Sequence, residues 1–115
     1  MEGARDNFLF NTTMKITINN IEIELKNKMR AMIIYEQITD KPFNPKTISD
    51  LTIYMYSVIL ANKPDLQLTF SELMEILDEQ PELFTDFNNW LTSELQKQAQ
   101  FNTNTEDGDK KKLHL

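Results

Sequence analysis

Thr47 to Asn62 reads TISDLTIYMYSVILAN, the most apolar stretch of helical length in the chain. Ile48, Leu51, Met55, Val58 and Ile59 recur at three- and four-residue steps and form one helical stripe. Ile53, Tyr54, Tyr56 and Leu60 are also apolar and lie off that stripe. A helix that is apolar on more than one side has to be covered on more than one side. The chain around it is therefore expected to wrap it, with any uncovered side left for a partner. Thr47 or Ser49 suits the N-cap, and Asp50 faces the positive end of the helix dipole. Asn62-Lys63-Pro64-Asp65 ends the helix.

Working back from this helix, Asp40-Lys41-Pro42-Phe43-Asn44-Pro45 is a loop, because each proline pushes the residue before it out of helical geometry. Asn27 to Thr39 is expected to be a helix with Asn27 as N-cap. Met29, Met32, Ile33, Ile34, Tyr35 and Ile38 give it a broad apolar face. Before it, Lys15-Ile16-Thr17-Ile18 and Ile21-Glu22-Ile23-Glu24-Leu25 alternate about Asn19-Asn20. Asparagine tolerates positive φ, which a two-residue type I′ turn requires. That turn pairs Ile18 with Ile21, Ile16 with Ile23 and Met14 with Leu25 on one apolar face. Lys15 then meets Glu24, and Thr17 meets Glu22, on the other. A lone hairpin is marginal, so its isoleucine face must pack on helices or join a larger sheet. Residues 1–13 carry no such pattern and read as a disordered leader or extension, with Met14 a candidate domain start.

Working forward, Thr69-Phe70-Ser71-Glu72 is a capping-box pattern at the head of a helix with the stripe Phe70, Leu73, Met74 and Leu77. Pro81 suits the first position of another helix. Its stripe is Leu83, Phe84, Phe87, Trp90, Leu91 and Leu95, ending at about Gln98. From Gln100 the chain loses periodicity and reads as a disordered tail. The fold expected is α+β and mainly α. An N-terminal β-hairpin precedes about four helices in a single domain at 14–99, with a disordered tail at 100–115.

The composition excludes several functions. With 115 residues the chain is one domain by size, and with no cysteine it has neither disulfides nor cysteine zinc sites. That usage suits a reducing cytosol. A net charge of −6 argues against sequence-independent nucleic-acid binding, which needs a basic footprint. No apolar run is long enough for a transmembrane helix, and Phe8 to Phe10 is too short for a secretory segment. The sole histidine, His114, sits in the expected tail, where nothing would position it as a base. Ser49, Ser57, Ser71 and Ser93 have no histidine partner in an ordered region, and the ordered region has no glycine for a phosphate loop. An enzyme, a metal site and a cofactor are accordingly not expected.

Between Pro64 and Gln96 there are eight acidic residues and no lysine or arginine. Glu72, Glu75, Glu79 and Glu82 are spaced by three and four, the first three along one helix. They read as a solvated acidic face or as a platform that steers a basic partner. Tyr54 and Tyr56, with Ile53 and Leu60, form the side of the central helix set out as the candidate partner surface. Lys110-Lys111-Lys112 reads as a solvated tail. It is also a place where A-rich lysine codons would permit ribosomal slippage.

The hairpin ITINNIEIEL, the helix KMRAMIIYEQIT, the Lys-Pro-Phe-Asn loop, the apolar helix after it and the acidic end ELMEILDEQPELFTDFNNWLTSEL resemble, in that order, the tail assembly chaperones of long-tailed bacteriophages and prophages. The resemblance covers about Met14 to Leu95. It implies a non-enzymatic protein of the bacterial host cytoplasm that binds the tape measure protein, keeps it soluble and helps recruit tail tube subunits. It also implies a longer frameshifted form, with the slip near Lys110 to Lys112. Residues 1–13 depart from the family layout. Self-association follows from the same need to cover apolar surface. A small cytosolic adaptor or regulatory subunit is the alternative function.

Overall fold

The computed structural model of the chain describes the backbone of residues 13–114 and the side chains of 13–97. The order is β1 (Met14–Ile18), β2 (Ile21–Leu25), α1 (Met29–Thr39), α2 (Ile48–Asn62), α3 (Phe70–Glu79) and α4 (Pro81–His114). It is a mainly α architecture with one small two-stranded sheet. The leader at 1–12 lies outside the described residues.

The hairpin forms because its turn and its alternation demand the same register. Asn19 and Asn20 take φ of 54° and 66°, the left-handed pair of a type I′ turn. The strands pair Met14 with Leu25, Lys15 with Glu24, Ile16 with Ile23, Thr17 with Glu22 and Ile18 with Ile21, as the alternation requires. Ile16, Ile18, Ile23 and Leu25 are buried, and Ile21 stays exposed beside the turn. Two strands alone would be marginal. Their apolar face is completed by α2 against β2 and by α4 against β1.

The loops and caps decide where the helices stop. Asp40 adopts φ 57° and returns its backbone N–H to the Glu36 carbonyl at 2.7 Å, closing α1. The Phe43 N–H then donates to Glu36 Oε2 at 2.9 Å, and Phe43 is folded back onto Tyr35. Thr47, not Ser49, caps α2. Its hydroxyl accepts from the Asp50 N–H, while the Asp50 carboxylate accepts from the Thr47 and Lys46 N–H groups. Those backbone donors, chiefly Lys46, hold the Asp50 carboxyl below the usual range. Thr69 and Glu72 form the same reciprocal box on α3, at 3.1 and 2.9 Å. Thr69→Ala removes the hydroxyl half of that box. It is expected to cost about 1 kcal/mol, read as a lower urea midpoint with an unchanged m-value.

The N-cap of α1 differs from expectation. Lys28 holds that position without a side-chain cap bond. Asn27 is drawn instead to α2, where its Oδ1 accepts from the Tyr54 hydroxyl at 2.9 Å. A buried hydroxyl without a partner costs more than an exposed cap contributes. Asn62 at the far end of α2 pins the strand exit in a similar way. Its amide accepts from the Lys26 N–H at 3.1 Å and donates to the Lys26 carbonyl at 2.9 Å.

The core gathers around α2. Tyr54, Met55, Ser57, Val58, Ile59 and Ala61 are all buried, and the Ser57 hydroxyl is satisfied by the Ile53 carbonyl at 2.8 Å. Ala31 and Tyr35 of α1, Leu73 of α3, and Phe87, Trp90 and Leu91 of α4 close over them. The broad apolar face of α1 is only half used. Ala31 and Tyr35 are its buried residues, and Met29, Ile33 and Ile38 are exposed. The backbone of α4 continues as helix past Gln98, through the stretch expected to be disordered at 100–115, to His114. No proline follows Pro81 to interrupt it. Among the described residues no helix is long and apolar enough to cross a membrane.

Candidate functional site

The four residues proposed as a partner surface on α2 divide. Tyr54 is fully buried and is a core residue, which corrects its assignment to an interface. Its ring lies 4.6 Å from that of Phe43, 6.1 Å from that of Tyr35 and 6.4 Å from that of Phe87. The series runs on from Phe87 to Trp90 at 5.7 Å. One aromatic column thereby ties the 40–47 loop, α1, α2 and α4 together. Burial pushes the Tyr54 hydroxyl up to about 12. Tyr56 is half-buried. Its hydroxyl donates to the Leu68 carbonyl at 2.7 Å and its ring meets Phe70 edge-on at 5.6 Å, so it anchors the chain entering α3. Leu60 is half-buried as well. Ile53 alone of the four turns toward an open depression.

That depression is a groove of about 820 Å³ between the first half of α2, all of α3 and the start of α4. Ile48, Ile53, Phe70, Met74, Leu77 and Phe84 supply its apolar walls, and Ser49 and Thr52 lie at its α2 edge. Glu75 and Asp78 stand on its α3 edge. α3 ends at Glu79 and Pro81 opens α4, so the two helices join through Gln80 alone and the groove lies where both meet α2. Ile48 is left 73% exposed and Met74 44% exposed, large values for apolar side chains that border one cleft.

The acidic series is spread by the same geometry. Glu72 is occupied by the cap of α3, Glu75 borders the groove, and Glu79 and Glu82 are exposed around the α3–α4 junction. None of the four has an ion-pair partner among the described residues. No group of three or more acidic or histidine side chains is arranged to hold a metal ion among the described residues. The side chains of His114 and of Lys110, Lys111 and Lys112 lie outside them. The geometry thus offers an apolar trough with carboxylates along one side, a surface suited to an amphipathic helix.

The groove was not apparent in the sequence. Phe70, Met74 and Phe84 sit on regular amphipathic stripes, and such stripes ordinarily close into a core. The available signal was Pro81 directly after Gln80, between two stripes. Compared with protein-family models, with curated proteins and with solved structures, the chain matches none.

Proposed function

We propose that this protein is a non-enzymatic tail assembly chaperone of long-tailed bacteriophages and prophages. In this reading it holds the tape measure protein in the host cytoplasm and helps recruit tail tube subunits around it. The observation that supports the reading is the open groove between α2, α3 and α4. Its Ile48, Ile53, Phe70, Met74 and Phe84 walls would suit the apolar stripe of a long helical client, and Glu75 and Asp78 would suit basic residues beside such a stripe. The acidic half keeps a chaperone with exposed apolar surface soluble.

The test is co-expression with the product of the very long helical reading frame expected immediately downstream, followed by affinity capture. Stable co-purification is the expected result. Met74→Lys places a cation in the apolar wall that the client's stripe would cover and is expected to weaken capture at least about tenfold, equivalent to about 1.4 kcal/mol. Absence of binding with both proteins folded removes the chaperone reading and leaves the groove to an adaptor role. Capture unaffected by Met74→Lys moves the client site elsewhere.

A further inference from the structure

The hairpin leaves the outer edge of β2 open. Ile18–Ile21, Ile16–Ile23 and Met14–Leu25 are the hydrogen-bonded pairs that a two-residue turn imposes, so their N–H and C=O groups are spent on the β1–β2 ladder. The alternate residues of β2, Glu22 and Glu24, turn theirs away from β1, and no group among the described residues bonds to them. Lys26 is next in that series, and its N–H and C=O are both taken by the Asn62 side chain. The open edge therefore runs from the turn to Asn62 and stops there. A trough of about 330 Å³ lies along it, in the size range of small-ligand clefts. Lys26, Lys28 and Lys63 line its closed end. Lys63 pairs with Asp65 at 3.6 Å, and Lys26 and Lys28 have no ion-pair partner among the described residues. Glu22 and Glu24 are the acidic groups on its strand side.

We propose that the outer edge of β2 is a strand-addition site that takes the free C-terminal segment of a partner polypeptide. In extended form that segment pairs with the Glu22 and Glu24 backbone, parallel to β2, and sets its terminal carboxylate among Lys26, Lys28 and Lys63. Two features select a chain end over an internal strand. Asn62 already fills the next pairing position, so an added strand has no backbone to follow beyond Glu24. The cations are gathered at that same stop, where a chain end brings a negative charge. Glu22 and Glu24 oppose acidic side chains further up the segment, so its upstream residues are apolar, neutral or basic. The added strand also extends a two-stranded sheet that is marginal by itself. The site is at the Asn62 end of α2 and the groove is at the Ile48 end, so the two fill independently and this inference does not rest on the client reading.

A pool of random-sequence octapeptides, made once with free C-termini and once with C-terminal amides, tests this on the immobilised full chain, with captured peptides counted by mass spectrometry. Free-acid peptides are expected to be enriched at least about tenfold over their amides. Lys26→Gln with Lys28→Gln is expected to remove that preference. Glu22→Pro deletes one outward N–H without touching the β1 ladder, since edge positions tolerate proline, and is expected to lower free-acid capture at least about tenfold. Circular dichroism checks that each variant is folded. Should Glu22→Pro unfold, N-methylation of the captured peptides at alternate residues takes its place and is expected to have the same effect. Hydrogen exchange without peptide is expected to be fast at the Glu22 and Glu24 amides and slow at Ile23, and a captured peptide is expected to slow the first two. Equal capture of acids and amides, or capture of neither, overturns the inference. So does a free-acid preference that the folded double lysine variant keeps. Capture that Met74→Lys abolishes and Glu22→Pro leaves intact overturns it as well, because the peptide then sits in the groove.

Discussion

Phe87→Ala is expected to lower the unfolding free energy by about 3–5 kcal/mol, the range for truncating a fully buried aromatic side chain. Phe87 has no exposed surface, and its ring lies between Tyr54 of α2 and Trp90 of its own helix. It is the link through which α4 joins the aromatic column, so neighbouring side chains cannot collapse into the space without breaking the Tyr54 or Trp90 contact. A domain of this size has about 5–15 kcal/mol in all, so the variant should be close to unfolding at room temperature. Urea denaturation followed by tryptophan fluorescence reads the loss directly, because Trp90 is adjacent. Met29→Ala is the matched control on the exposed side of α1, where the change should stay within about 0.5 kcal/mol. A loss below about 1 kcal/mol for Phe87→Ala would show that α4 is not fastened through this ring.

The second large effect is alkaline destabilisation through Tyr54. Its hydroxyl titrates at about 12 in the folded chain because burial disfavours the phenolate, against about 10 for an unfolded tyrosine. The folded state therefore holds the proton more tightly. The associated stability, about 2–3 kcal/mol, is fully present below pH about 10 and is lost as pH rises toward about 12. Tyr35 shifts in the same direction, through burial and then through the nearby Asp50 charge, and adds to the slope. Tyr54→Phe is expected to cost about 1 kcal/mol at neutral pH for the lost bond to Asn27. In exchange, the fall in stability between pH about 10 and 12 should become shallower than in the wild type. Urea midpoints of both chains across that range check the sign. Parallel slopes would mean that Tyr54 ionises without opposition from the fold.

The same tyrosine shows how far helical periodicity carries. Periodicity reports which residues are apolar and which face they share, and for α2 it gave two faces with no ranking between them. Ile48 belongs to the regular stripe, yet it is exposed at the groove. Tyr54 is off that stripe, yet it is at the centre of the core. Neither outcome is a property of α2 alone. Phe43 reaches Tyr54 because Asp40 turns the chain and Glu36 holds the loop. Asn27 leaves its expected cap to satisfy the phenol. The contacts of Tyr54 with Phe43 and Asn27 join residues 11 and 27 positions apart, outside its own helix, where spacing along one helix carries no information.

What the chain determined by itself is local. Two consecutive asparagines with left-handed backbone set the hairpin turn, and alternation on either side set its register, since a one-residue slip would expose every isoleucine. Thr47 with Asp50, and Thr69 with Glu72, set two helix starts through bonds that span three residues. The tertiary structure alone decided which apolar surface is consumed. Ala31 and Tyr35 are the buried residues of α1 while Met29 and Ile33 face outward, and Ile48 and Met74 stay exposed where α2, α3 and the start of α4 border the groove. Burial depends on what arrives from elsewhere in the chain. The exposed side of α1 and the groove therefore became visible only when the four helices were in place.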